Sequence, residues 1–167
     1  MMRAGVALGS NLGERVANLR NARKDIAALV GALPPMRSSA IYETDPVGCE
    51  KGAGKFLNAV IEFGYSGQPD ALLRALVAIE KMLGRPAAHA RNVSRTVDLD
   101  LLYCGELVIE TGELQLPHPR IVEREFVLRP LADIRPDLVL PEQEESISAL
   151  LLQLSPTAGV VRLDLEW

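Results

Sequence analysis

Apolar and polar positions along the chain change period several times, and each change marks an element. Val6-Ala7-Leu8 is a short strand that stops at Gly9-Ser10-Asn11, turn and cap residues leading into a helix. Leu12, Val16, Leu19, Ile26 and Val30 recur at helical spacing until Gly31 and Pro34-Pro35 end the helix. Ser39 to Tyr42 predicts a second strand, and Thr44-Asp45-Pro46-Val47-Gly48 a turn. Cys49-Glu50-Lys51-Gly52-Ala53-Gly54-Lys55, glycine-rich and charged, predicts a mobile loop. Phe56 to Tyr65 is a third strand, and Gln68-Pro69-Asp70 starts a second helix that Gly84 closes. On that helix Leu72, Leu73, Leu76, Ile79 and Leu83 form one apolar arc, with Glu80 inside it. A carboxylate on an inward face needs a physical reason.

Between Gly84 and Thr96 the pattern loses its period and turns basic, which predicts a second long loop, a kind usually functional in small domains. A strand through Asp98 and Asp100 follows, with Gly105-Glu106 as a hairpin turn and Leu107 to Ile109 as its short partner. Leu116-Pro117-His118-Pro119-Arg120, a short helical turn to Arg124, and the stretch Phe126 to Leu131 come next. Ser146 to Leu154 predicts a helix and Val160 to Leu165 a terminal strand. The order implies an α+β fold: a ferredoxin-like βαββαβ core with an antiparallel sheet, helices packed on it and a C-terminal extension, in one domain over residues 1–167.

The aspartate strand changes this picture from architecture to chemistry. Strand geometry puts Asp98 and Asp100 on one face and Val97, Leu99, Leu101 and Tyr103 on the other. Two carboxylates about 6 to 7 Å apart repel by roughly 2 to 3 kcal/mol at an effective dielectric near 20. A divalent cation or a shared proton relieves this, whereas an ordinary wet strand face would simply expose both. Arg85, Arg91 and Arg95 in the adjoining loop, and Glu80 directed toward the same region, favour the cation. Mg²⁺ commonly takes one or two carboxylates and completes its octahedron with phosphates and water, and arginines beside it neutralise a transferring phosphoryl group.

Composition narrows the classes further. The chain has 167 residues, 48% hydrophobic and 24% charged, with a net charge of −4 and a pI near 5.3. There is no global basic field of the kind that drives nucleic-acid or lipid binding. With no signal-peptide core and no apolar run of spanning length, the expectation is a cytoplasmic protein with neither nucleic-acid nor membrane partners. Cys49 and Cys104 lack metal-ligand spacing and are expected as free thiols. Gly52-Ala53-Gly54-Lys55-Phe56 is not a Walker A loop, because Cys49 stands where glycine is required and Phe56 where a hydroxyl would hold magnesium. Phe56 and Phe126 suit either a core or a stacking slot for a flat ring, and His118 either a rigid turn or a nucleotide contact.

Taken in order, several blocks resemble one family. They are Ala7-Leu8-Gly9-Ser10-Asn11-Leu12-Gly13, Tyr42-Glu43-Thr44-Asp45-Pro46-Val47-Gly48, Phe56-Leu57-Asn58-Ala59, Ile79-Glu80 and Leu83-Gly84-Arg85. Arg95 to Leu102, Pro117-His118-Pro119-Arg120 and Phe126 to Ile134 complete the set. The family is 6-hydroxymethyl-7,8-dihydropterin pyrophosphokinase, of folate biosynthesis. The resemblance implies transfer of a pyrophosphoryl group from ATP to the hydroxymethyl oxygen of a reduced pterin, with release of AMP. It implies that Asp98 and Asp100 hold two Mg²⁺ ions and that Arg85 and Arg95 stabilise the transition state at the phosphates. Glu80, Leu101, His118 and Arg124 would join Arg85 and Arg95 in binding ATP. Phe56 and Phe126 would sandwich the pterin, Asn58 would hydrogen-bond its edge, and Thr44, Asp45 and Val47 would supply backbone contacts. Residues 45–55 and 84–95 would be moving lids that exclude water.

The chain departs from the family's common pattern at several places. Asn92-Val93-Ser94-Arg95 replaces the frequent Trp-Gly-Pro-Arg, so the lid tryptophan is missing. Ala87 and Ala88 replace basic residues, Glu113 a nucleotide-contacting arginine, Val77 a glutamine and Pro119 a tyrosine. The expectation is retained chemistry with altered ATP affinity and lid closure. A non-catalytic binding module on the same core leaves two inward aspartates without use, and a metal-dependent nuclease lacks a basic groove.

Overall fold

A computed structural model describes residues 1–46, 51–84, 96–156 and 159–167. In chain order it runs through strand β1 (Met2–Ser10), helix α1 (Arg15–Ala27), β2 (Ala32–Ser38), β3 (Ile41–Thr44), β4 (Phe56–Tyr65) and α2 (Pro69–Met82). There follow β5 (Asp98–Cys104), β6 (Ile109–Glu110), β7 (Gln115–Leu116), a 3-10 turn (Ile121–Glu123), α3 (Glu125–Ile134), α4 (Ile147–Gln153) and β8 (Val160–Leu163). The main sheet has the order β5-β1-β4-β3-β8, with β2 also paired to β4, and every pairing is antiparallel.

Both faces of this sheet are used. Ala4, Val6, Leu8, Leu57, Ala59, Ile61, Phe63, Leu99 and Leu101 pack with Leu19, Ala22 and Ile26 of α1 and with Leu72, Leu76 and Ile79 of α2. On the other face Val60, Leu102 and Tyr103 pack with Val127, Leu128 and Leu131 of α3 and Ile147 of α4. Covered on both sides, β4 is buried along its whole length after Phe56. The face under α3 therefore carries Phe56, Asn58, Val60 and Glu62, the even-numbered residues of β4.

The structure corrects four expectations. Helix α1 is shorter at both ends, and Leu12 and Val30 are 50% and 97% exposed. Gly13 and Gly31 both take left-handed backbone (φ 68° and 91°), which closes the helix on either side. The strand expected at Ser39–Tyr42 starts later and runs further, as β3 (Ile41–Thr44), and only Ser39 and Ala40 form the break between β2 and β3, both of which line one edge of β4. Pro34 and Pro35 cannot donate to a ladder, so β2 pairs irregularly between Leu33 and Arg37. At the break, the Ser39 hydroxyl accepts the Val60 N–H at 2.9 Å in place of a carbonyl.

The partner expected for the aspartate strand at Leu107–Ile109 pairs elsewhere: β6 joins β7 in a separate hairpin closed by Thr111 and Leu114. Tyr103 lies on the aspartate face rather than opposite it, because the β1–β5 ladder slips by one residue between Gly5 and Val6. That bulge reverses the alternation after Leu101. The Tyr103 ring then covers Gly5, where an added Cβ would fall 2.3 Å from Cε1. Its hydroxyl donates to Glu62 at 2.7 Å, and Arg3, Arg37 and Arg135 surround the same fully buried carboxylate. Desolvation, then the Glu62 charge, push the Tyr103 hydroxyl well above the usual tyrosine range.

Candidate active site

Register assembles the site. Gly9 of β1 lies between Asp98 of β5 and Asn58 of β4, and Asn58 is in turn paired with Tyr42 of β3. Two residues along, Ala7 pairs with both Asp100 and Val60. The aspartates thus lie on the same sheet face as Asn58 and Phe56, separated from them by the bare backbone of Gly9. A Cβ added at Gly9 would sit 3.3 Å from Asn58 Oδ1 and 3.8 Å from the Phe56 ring. Glycine keeps this floor flat.

The amide of Asn58, 8% exposed, is oriented by donating from Nδ2 to Thr44 Oγ1 at 2.7 Å. Its Oδ1 faces Gly9, as the Cβ distance shows. Thr44 is buried opposite Phe56, and Asp45 beyond it is half-exposed beside Lys55 at 3.5 Å. The run from 51 to 55 is tied to the first helix. Asn11 donates to the Gly54 carbonyl at 3.5 Å, and Arg15 donates to the Lys55 carbonyl at 2.8 Å while pairing with Glu43 at 2.9 Å. In the sequence Asn11 stood out only as a cap residue and Arg15 not at all. Only the loop they hold gives them significance.

Asp98 and Asp100 are both partly exposed. Arg124 Nη1 stands 3.6 Å from Asp100 Oδ2, and the guanidinium lies 5.6 Å from the centre of the Phe126 ring, a cation–π contact. Burial pushes the Arg124 pKa down, opposed by Asp100. The family resemblance marked this arginine as an ATP contact, but nothing in the sequence signalled its pairing with Asp100, which depends on α3 being laid over the sheet. Phe126 occupies the first turn of that helix and packs at the border of the core beneath it.

Glu80 reaches the aspartate strand, but from the opposite side and through the main chain. Its carboxylate, on a residue 1% exposed, accepts the N–H of Leu99 at 2.7 Å. Since β5 is an edge strand, this charge-assisted bond satisfies a donor between the two aspartates. Leu101 also presents its main chain rather than its side chain to the site. Its side chain is 3% exposed in the α1/α2 core, which leaves its main chain for any nucleotide contact.

His118 is held by donating its N–H to the Leu102 carbonyl at 2.7 Å, while its Nδ1 accepts the Arg120 N–H at 3.1 Å. Burial, then Arg124 and Arg120, push its pKa down, with Asp98 pulling the other way. With Nδ1 accepting, Nε2 carries the ring proton and is a donor. His118 also borders a cleft of about 340 Å³ between the β6–β7 hairpin and Leu140–Gln143. Glu113 is exposed in the turn of that hairpin. Arg85, Arg91, Arg95, Val47 and Cys49 lie outside the described residues. Cys104 is a free, buried thiol, pushed up to about 11 by burial.

Among the described residues no three His, Cys, Asp or Glu side chains cluster to hold a metal by themselves. Two carboxylates on one face, with a guanidinium already drawn to one of them, fit instead a cation that takes further oxygens from a substrate. No helix among the described residues is long and apolar enough to cross a membrane.

Fold and site together define a mixed α/β protein with an acidic strand end set beside an amide-and-aromatic slot. Residues 5–136 match the family model of 7,8-dihydro-6-hydroxymethylpterin-pyrophosphokinase, and the chain belongs to that family. The Bacillus subtilis 2-amino-4-hydroxy-6-hydroxymethyldihydropteridine pyrophosphokinase is 47% identical over 133 residues, covering 78% of this chain and 77% of the relative. The enzyme of the same name from Methylorubrum extorquens is 37% identical over 164 residues, 98% of this chain and 100% of the relative. Among solved structures, Plasmodium falciparum HPPK-DHPS wild type with pteroate superposes with a TM-score of 0.72 at 14% identity. That match covers 91% of this chain and 42% of the other, and it speaks to the fold alone.

Proposed function

We propose that the chain transfers pyrophosphate from ATP to 6-hydroxymethyl-7,8-dihydropterin, giving the pterin diphosphate and AMP in folate biosynthesis. The observation that carries this is the register placing Asp98, Gly9 and Asn58 side by side on one sheet face. It sets a cation-ready carboxylate pair one strand away from an oriented amide in a slot floored by glycine.

The pterin would lie with its edge against Asn58 and Thr44 and its plane between Phe56 and Phe126, with backbone contacts from Thr44, Asp45 and Val47. A flat heterocycle rich in donors and acceptors suits such a slot, since stacking supplies affinity and the amide supplies orientation. Asp98 and Asp100 would hold two Mg²⁺ ions. When bound, these would draw charge from the ATP phosphates and, for one ion, lower the pKa of the attacking hydroxyl. The new bond joins the hydroxymethyl oxygen to the β-phosphorus, the bond from that phosphorus to the α,β-bridging oxygen breaks and leaves the oxygen on AMP, and the hydroxyl proton passes to water.

Arg85 and Arg95 would place positive charge against the transferring group, His118 Nε2 and Arg124 would donate to ATP, and the main chain of Leu101 would hold its base. Glu80 would act as a positioning residue through Leu99. Residues 45–55 and 84–95 would close over the bound substrates to exclude water. The ferredoxin-like description belongs to the same reading. It is supported by the antiparallel order β5-β1-β4-β3, with β8 as a C-terminal addition beside β3 in one domain over residues 1–167. So does a cytoplasmic monomer.

The test is AMP release from ATP, Mg²⁺ and the hydroxymethyl pterin by wild type, Asp98→Asn and Asp100→Asn. The wild type should release AMP only when pterin and a divalent cation are both present, and each variant should lose at least about a hundredfold in kcat. A wild type that releases no pterin-dependent AMP would sink the reading.

A further inference from the structure

The ion pair between Arg124 and Asp100 carries an inference that rests on the pyrophosphokinase reading and goes beyond it. Arg124 precedes the first residue of α3, and Phe126 follows two positions later. One side chain therefore reaches both halves of the site, with Nη1 at 3.6 Å from the Asp100 carboxylate and Cζ over the Phe126 ring at 5.6 Å from its centre. Arg124 is also largely withdrawn from solvent, its side chain 22% exposed, so its charge is poorly screened toward Asp100.

We propose that Arg124 is an internal counter-ion of the aspartate pair, one that a divalent cation must displace, so that cation binding is coupled to the Phe126 side of the pterin slot. A guanidinium this close to one carboxylate oxygen opposes a doubly charged ion at the same carboxylates. When the ion takes Asp100, the repulsion drives Arg124 away from it. The same displacement takes the guanidinium off the Phe126 face and frees it for the polyphosphate that arrives with the cation. Arg124 is thus a positioning residue for Phe126 before it is a nucleotide contact.

The experiment titrates Mn²⁺ into the full chain without ATP or pterin and follows free Mn²⁺ by electron paramagnetic resonance. Arg124→Gln should bind Mn²⁺ about tenfold tighter than wild type, the size expected for removing one positive charge about 5 Å from a divalent ion in a wet site. Arg124→Lys, which keeps the charge, should stay within about threefold of wild type. Equal affinity in Arg124→Gln and wild type, or weaker binding in Arg124→Gln, overturns the proposal.

A second readout uses phenylalanine labelled with ¹³C in the ring, since the chain has only three: Phe56, Phe63 and Phe126. Mg²⁺ should shift the Phe126 resonance in wild type but not in Arg124→Gln, and leave the buried Phe63 still. A Phe126 signal that ignores Mg²⁺ in wild type also overturns the proposal. Neither measurement needs turnover. A failed AMP assay therefore removes the pyrophosphokinase reading whatever the Mn²⁺ titration shows, and an unchanged Mn²⁺ affinity beside full AMP release removes this inference alone.

Discussion

Replacing Glu80 by alanine removes the only side chain in the described structure that accepts the N–H of Leu99, at 2.7 Å from a carboxylate on a residue 1% exposed. A hydrogen bond to a charged group contributes about 1.5 to 3 kcal/mol, and a buried donor left unmet adds a desolvation penalty of the same order. Release of the buried carboxylate offsets part of this, so the expected net loss is about 3 kcal/mol. For a chain of 167 residues that is a fall of roughly 6 to 12 °C in Tm. Glu80→Gln keeps an acceptor at the same reach and should lose only about 1 kcal/mol.

The measurement is equilibrium urea unfolding, with the midpoint shifting at constant slope. Because Leu99 lies between Asp98 and Asp100, the alanine variant should also lose about a hundredfold in kcat when assayed folded, and the glutamine variant far less. Stability of Glu80→Ala within about 0.5 kcal/mol of wild type would refute the role assigned to this bond. So would equal losses of kcat in both variants.

Two further changes test other parts of the structure. Glu62→Ala strands the Tyr103 hydroxyl and leaves Arg3 and Arg135 without their carboxylate, so unfolding should come about 3 to 5 kcal/mol earlier in denaturant titrations, with kcat of the folded fraction near wild type. Gly9→Val fills the floor between Asn58 and Phe56, where even a Cβ comes within 3.3 Å of the amide oxygen. Calorimetric titration of pterin into the complex with Mg²⁺ and a non-hydrolysable ATP analogue should show at least about tenfold weaker binding, with binary nucleotide affinity unchanged.

Much of the site was legible because its residues carry local signatures. Asp98 and Asp100 announce themselves through a spacing that charge repulsion disfavours without a cation, and Glu80 through a carboxylate in an apolar arc. What joins these signals was not legible. Arg124 was expected only as an ATP contact, with nothing in the sequence to pair it with Asp100, and Gly9 reads as an ordinary turn glycine. Leu101 matched its family block, yet its side chain belongs to the core, because alternation in β5 sends Leu99 and Leu101 toward α2.

By itself the sequence determined the long periodic elements and the ordered motif set. The strand at Phe56–Tyr65 and the helix opening at Pro69 follow from apolar period, a proline at the first turn and a glycine after the last. These are short-range effects, complete within a few residues. Tertiary structure decided the rest. It split the edge strand at Ser39, whose hydroxyl takes the Val60 N–H in place of a carbonyl, and it turned Tyr103 onto the aspartate face through a bulge opposite Gly5. It also set α3 over the sheet so that Arg124 meets Asp100. Register and bulge position depend on which strands pair across long stretches of chain, and no local pattern encodes that choice.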